Sequence, residues 1–139
     1  MTAFLFALIT LFLWGIGPIL GKIGLGPTEP FVALSIRSAV VTIVLLFVGL
    51  FTGKLQELAE VSTRSALFIA GEGVSAALLG HLTYYYALKL GEASRVAPIV
   101  AAFPVVTVIV AVFLLGEQLT WEKVAGLLFI VAGVLLIKN

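Results

Sequence analysis

Five apolar stretches, each near the length of a membrane-spanning helix, constrain this chain more than any other feature. A helix needs about 20 mostly apolar residues to cross a hydrocarbon core of about 30 Å, and its backbone polar groups must be paired internally. The stretches cover residues 3–22, 29–52, 65–89, 94–115 and 121–137. They predict an all-α fold, a polytopic bundle of five transmembrane helices, with residues 1–139 forming a single domain.

Composition agrees with lipid as the solvent. Hydrophobic residues make up 62% of the chain and charged residues 11%, whereas a soluble domain is about half apolar and a quarter charged. Cysteine is absent and His81 is the one histidine, so we expect no metal and no cofactor. A net charge of +1 offers no basic surface for nucleic acid. We expect no enzymatic activity.

The loop charges bear on orientation, because short loops rich in Lys and Arg stay cytoplasmic. The first stretch lacks the basic start and cleavage site of a signal peptide, so we interpret it as a retained helix. Five helices then place the termini on opposite sides of the membrane. On the N-terminal side the cations are Lys54, Arg64 and Lys123. On the other side they are Lys22, Lys89, Arg95 and Lys138. This near balance predicts insertion in both orientations.

Turn and cap residues mark the helix ends. Glycine and proline mark helix exits, and the candidates are Gly24, Gly26 and Pro27 after the first stretch, Gly53 after the second, Gly91 after the third and Gly116 after the fourth. Side-chain oxygens suit helix starts, and the candidates are Thr28, Ser62 with its neighbours Thr63 and Ser65, Ser94, and Thr120. The connector at residues 54–64 fits either a short helical turn at the membrane interface or an irregular loop.

Glu72 is the most informative residue of the third stretch. It lies about seven residues from the predicted helix start, roughly 10 Å deep, too far for its short side chain to reach the headgroups comfortably. On an ideal α-helix it shares an arc with Ser75, Thr83 and Tyr86. Ionisable groups inside spans are functional candidates, so Glu72 is predicted to line a substrate path and carry protons. The alternative is a protonated acid in a structural hydrogen bond.

Two other stretches contribute candidates for the same path. In the first, Trp14 and Pro18 lie on a face of small, polar and aromatic residues, which fits either a path wall with a loosened backbone or close helix packing. In the fourth, Pro104 removes a backbone donor and predicts a kink. His81 points away from Glu72 on an ideal helix and fits a structural hydrogen bond better than a proton relay.

The sequence resembles an EamA-type domain of the drug/metabolite transporter superfamily along nearly its whole length. The resemblance rests on LWGIGPILGKIGL in the first stretch, on Arg37 within FVALSIRSAV, and on the string from Tyr84 onward, YYYALKLGEASRVAPIVAAFPVVTVIVAVFLLGEQLTWEKVAGLLFIVAGVLLI. Its features are a Tyr-rich helix end, Pro104 inside the fourth helix, the Gly116-Glu117 exit and the spacing of Gly126 and Gly133.

The resemblance implies a half-size transporter. Most members of the superfamily carry two such domains in inverted tandem and move small metabolites or drugs, usually outward. A single copy implies an inverted homodimer, or a heterodimer with a related half-size protein, that works by alternating access in the inner membrane of a prokaryote. The substrate path is then expected between the first, third and fourth helices. The alternative is a non-transporting assembly or regulatory membrane protein that keeps the fold.

Overall fold

A computed structural model describes residues 2–138, with side chains described through Ile137. Helix accounts for 85% of the structure, and no strand occurs among the described residues. The prediction of an all-α fold is therefore confirmed. The side chain of Lys138, which entered the charge comparison, lies outside the described part.

The first of two compact units ends at Leu90. Its third apolar stretch is one continuous helical segment, Thr63–Leu90, made of α-helix, π-helix and α-helix in turn. We call Thr63–Leu90 the third span. The elements of this unit are α1 (Thr2–Gly24), α2 (Pro30–Thr52), a 3₁₀ turn (Gln56–Glu60), α3 (Thr63–Glu72), the π segment (Gly73–Gly80) and α4 (His81–Leu90).

The second unit begins at Gly91 and holds α5 (Ala93–Val100), α6 (Pro104–Leu115) and α7 (Trp121–Lys138). We call Ala93–Leu115 the fourth span. Residues 101–103 form a turn between its halves, so the helix is irregular directly before Pro104, where a kink was predicted. Pro104 has no N–H to continue the helix, and the carbonyl of Val100 accepts instead from the N–H of Phe103 at 3.0 Å.

Four helical segments of the described chain are long and apolar enough to cross a membrane. They are Thr2–Gly24, Pro30–Thr52, Thr63–Leu90 and Ala93–Leu115, each within two residues of its predicted bounds. Helix α7 has 18 residues and contains Glu122, Lys123 and Lys138 near its ends. The fifth crossing stays a prediction.

The helix ends agree with the sequence in part. Gly53 and Gly116 end their helices as predicted, and their φ angles of 73° and 67° are the left-handed conformation that glycine adopts at helix exits. Ser62 caps α3 by accepting from the N–H of Ser65 at 3.2 Å. Two predicted caps are wrong: Glu29, not Thr28, caps α2, and Glu92, not Ser94, occupies the cap position of α5. The connector contains the short helical turn that was one of its two predicted forms.

The buried side chains of the first unit lie near the turn between α1 and α2. Leu25, Leu34 and Leu88 are at most 2% exposed. Most other large apolar side chains are exposed, as expected where lipid covers the helix faces. Helix association in lipid depends on packing and polar contacts, because lipid tails are as apolar as leucine.

Candidate functional site

The third span carries Glu72 at the junction of α3 and the π segment. Glu72 lies nine residues beyond Thr63, about 13 to 14 Å along the helix, and its side chain is exposed. Among the described residues, the Glu72 carboxylate has neither a hydrogen bond nor a salt bridge. A carboxylate at this depth requires water, a proton or a partner from outside the chain.

Polar side chains around the π segment donate to its own backbone. The hydroxyl of Ser75 donates to the carbonyl of Glu72 at 3.3 Å, and that of Thr83 donates to the carbonyls of Leu79 and Gly80 at 3.0 and 2.9 Å. These bonds satisfy the hydroxyls within the helix, as serine and threonine commonly do. Glu72 thus differs from its polar neighbours in having no such partner.

The ring of His81 extends this pattern to the end of the π segment. Its Nδ1 lies 3.1 Å from the carbonyl of Ala76, five residues earlier. Because a carbonyl only accepts, Nδ1 carries the proton in this contact. His81 therefore makes a hydrogen bond within its own helix, and the choice between a structural role and a proton relay stays a prediction.

The π segment changes the arc that was predicted for Glu72. A π turn closes its hydrogen bond five residues on, whereas an α turn closes four residues on. The extra residue in each hydrogen-bonded turn rotates the side chains of α4 around the helix axis relative to those of α3. The assumption of an uninterrupted α-helix is therefore wrong for Thr83 and Tyr86, and their place on the path stays a prediction, as does that of Ser75.

Tyr86 connects the end of the third span to the start of α2. Its hydroxyl donates to Oε1 of Glu29 at 2.8 Å, while Oε2 of Glu29 accepts from the N–H groups of Phe31 and Val32 at 2.8 and 3.2 Å. The hydroxyl of Tyr86 and these two N–H groups lower the pKa of Glu29 from its ordinary value of 4.5. Glu29 is therefore an ionised cap that also holds α4.

Two lysines complete this junction. Lys89 donates to the carbonyl of Thr28 at 2.7 Å, and Lys22 donates to the carbonyl of Leu88. Lys22 and Lys89 also line a recess of about 60 Å³ together with Leu25 and Gly26. We call the contacts of Lys22, Glu29, Tyr86 and Lys89 the α4 anchor. Sequence reasoning missed this anchor, because its partners lie 57 or more residues apart.

The first span presents its predicted path residues along α1. Trp14 is 67% exposed and Pro18 is partly exposed. A Cβ placed on Gly21 would lie 3.5 Å from Cδ1 of Leu88, so α1 and α4 approach closely there. Gly21 thus serves packing against α4, while the exposed Trp14 keeps both of its predicted roles open.

The structure brings some of the predicted site residues together. Ser75 is bonded to the backbone of Glu72, and Tyr86 belongs to the α4 anchor rather than contacting the Glu72 carboxylate. Pro104 lies in the second unit, where it begins α6. The arrangement offers an unpartnered acid beside a non-standard helical turn, which is the chemistry needed to bind and release a proton or a cation.

Comparisons with known proteins give one consistent result. The profile of the EamA-like transporter family matches residues 1–138. A Sinorhizobium protein described as an uncharacterized transporter in the cobO 3′ region is 35% identical over 86% of this chain and 84% of its own length. An uncharacterized transporter of Archaeoglobus fulgidus is 35% identical over 47% of this chain and 24% of its own length. No solved structure matches.

Proposed function

Because the chain belongs to the EamA-like transporter family and is an integral membrane protein, we propose that it exports small metabolites or drugs by alternating access, with Glu72 coupling transport to protons. In this proposal it is not an enzyme. The five predicted spans form one domain, and all of them cross the inner membrane of a prokaryote. The observation that carries the coupling role is the exposed Glu72 carboxylate, which has no partner among the described residues.

Proton coupling follows from the surroundings of that acid. A low dielectric favours the neutral carboxyl group, and entry of water or of a cation favours the carboxylate. A site that alternates between sealed and open states therefore binds a proton in one state and releases it in the other. Trp14, Pro18, Ser75, Thr83, Tyr86 and Pro104 are proposed to line the substrate path.

A second chain is part of the proposal. An exposed acid inside a span has to be covered, and a second five-helix unit in inverted orientation supplies both the cover and the second half of the transport path. The partner is another copy of this chain or a related half-size protein. Cross-linking in mild detergent should give a dimer, and an active monomer would contradict this part of the proposal.

The first test is the movement of a solute. The purified protein in liposomes should transport at least one compound from a panel of cationic drugs, amino acids and nucleobases when a pH gradient is imposed. A retained fold without transport of any compound would favour the assembly or regulatory role.

Water access to position 72 separates the same two roles. The chain has no cysteine, so Glu72→Cys introduces the one thiol. Leu67→Cys is a matched control, because Leu67 is 69% exposed but lies about 140° around α3 from Glu72. A water-soluble maleimide should modify the thiol at position 72 and spare the one at position 67. Protection of both thiols would indicate a sealed assembly protein.

A further inference from the structure

The carbonyl of Ala76 receives two donors from the same residue. The backbone N–H of His81 donates to it and is shared with the carbonyl of Leu78, and Nδ1 of the His81 ring lies 3.1 Å from the Ala76 oxygen. A carbonyl oxygen has two lone pairs and accommodates both. Residues 76 and 81 are five apart, so both bonds belong to the π register and not to the α register.

The α register would lose one of these bonds. In an α-helix the N–H of His81 would donate to the carbonyl of residue 77, four residues earlier. The ring would then no longer share an acceptor with its own N–H. The acceptor shared by the ring and its own N–H is thus a feature of the π register, and the bond from Nδ1 ties the ring to that acceptor.

Gly80 avoids a tight contact in the same register. A Cβ at position 80 would lie 3.3 Å from the carbonyl oxygen of Ser75, a backbone atom that cannot move aside easily. At Gly71 and Gly73 an added Cβ would meet nothing within 4 Å. The tight contact is thus local to the π turn that His81 closes.

The α4 anchor decides which half of the span turns when the register changes. Tyr86, Lys89 and the carbonyl of Leu88 are bonded to Glu29, Thr28 and Lys22, and the Leu88 side chain is fully buried. α4 is therefore held by α1 and α2. A change of register in the π segment would rotate α3, and with it Glu72, rather than α4.

We propose that His81 is a positioning residue, whose ring bond to the Ala76 carbonyl holds the π register and thereby sets the direction in which Glu72 faces. The effect of this positioning on transport rests on the proposed function, whereas the bond between His81 and Ala76 can be tested without it. A helix that has lost the bond and shifted to the α register would present Glu72 to a different neighbour.

The ring bond is tested directly by ¹⁵N NMR of the protein in lipid. His81 is the one histidine, so its ring nitrogens are assigned without ambiguity. At a pH where the ring is neutral, we expect the proton on Nδ1, because the bond to the carbonyl selects that tautomer. A ring protonated on Nε2 alone has no Nδ1 donor and would overturn the proposal.

Three substitutions test the positioning role. Asn places an amide N–H near the site of Nδ1, Gln places one near the site of Nε2, and Phe keeps the ring but has no donor. Transport driven by a pH gradient should survive His81→Asn and fall about tenfold or more, a loss of about 1.4 kcal/mol, in His81→Gln and His81→Phe. Equal rates in His81→Asn and His81→Gln would overturn the proposal, and this comparison holds even where His81→Phe proves unstable.

Glu72→Gln in the same assay separates this inference from the proposed function. Loss of the pH response in Glu72→Gln, with His81→Phe as active as the unmodified protein, refutes the positioning role and keeps the transport proposal. An unchanged response in Glu72→Gln refutes proton coupling at Glu72. It also refutes the proposal that His81 positions this carboxylate for coupling.

Discussion

At the scale of single residues, the contact between Tyr86 and Glu29 links stability to pH. The pKa of Glu29 is lowered first by the Tyr86 hydroxyl, so the folded state holds its proton less tightly than the unfolded chain does. The stabilisation is then complete above the ordinary value of 4.5 and is lost as pH falls through the lowered pKa.

Tyr86→Phe should therefore lower the thermal midpoint at neutral pH. The variant loses the donor to Glu29 and retains the aromatic ring. At a pH below the lowered pKa of Glu29, the midpoints of the variant and the unmodified protein should converge. Melting curves in detergent over that range measure this, and an equal difference at all pH values would contradict the assignment.

Leu88 gives a second test at this scale. It is fully buried beside α1, whereas Leu90, on the same helix, is 87% exposed. Leu88→Ala should destabilise the protein by about 1 to 3 kcal/mol. This is less than in a soluble core, because lipid tails replace part of the lost packing. Leu90→Ala is the control and should change the unfolding free energy little. Equal effects would show that α4 is not anchored at Leu88.

The residues also show what the sequence could and could not predict. Gly53 and Gly116 were identified as helix exits because each follows an apolar stretch, and their positive φ explains why glycine stands there. The caps Thr28 and Ser94 were wrong because a neighbouring glutamate takes each cap position, and Glu29 directly before Pro30 was the available signal. The bond between Tyr86 and Glu29 joins positions 57 residues apart, which no local pattern encodes.

At the scale of elements, the third span departs most from its predicted form. Its ends and its apolar length followed from the sequence, but its π segment did not. The π segment, GVSAALLG, consists almost wholly of small and apolar residues, so no polar face in the sequence reveals its changed periodicity. The difference lies in which carbonyl the N–H of His81 reaches, together with the space around Gly80.

Gly80→Ala should therefore behave unlike Gly71→Ala. Alanine favours a helix over glycine by about 1 kcal/mol where its methyl group has space, as at position 71. At position 80 the methyl group would press on the carbonyl of Ser75. We expect Gly71→Ala to raise the thermal midpoint slightly and Gly80→Ala to lower it and to reduce transport. A rise in both variants would argue against a π turn at Gly80.

At the scale of the whole molecule, the balance of loop charges predicts dual orientation. Three loop cations on the N-terminal side, Lys54, Arg64 and Lys123, oppose four on the other side. Cysteine tags at both ends, labelled in intact cells with an impermeant reagent, should show each terminus on both sides. A single orientation in every molecule would exclude the inverted homodimer and leave a related half-size partner.

The central claim is that transport depends on the protonation of Glu72. The most direct measurement is the flux of a transported compound into liposomes with and without a pH gradient, for the unmodified protein and Glu72→Gln. Glutamine keeps the size of the side chain but cannot ionise. Glu60→Gln is the control, because Glu60 is an exposed acid outside the spans. We predict that both variants fold and that only Glu72→Gln loses its response to the gradient. An unchanged response in Glu72→Gln would contradict the claim.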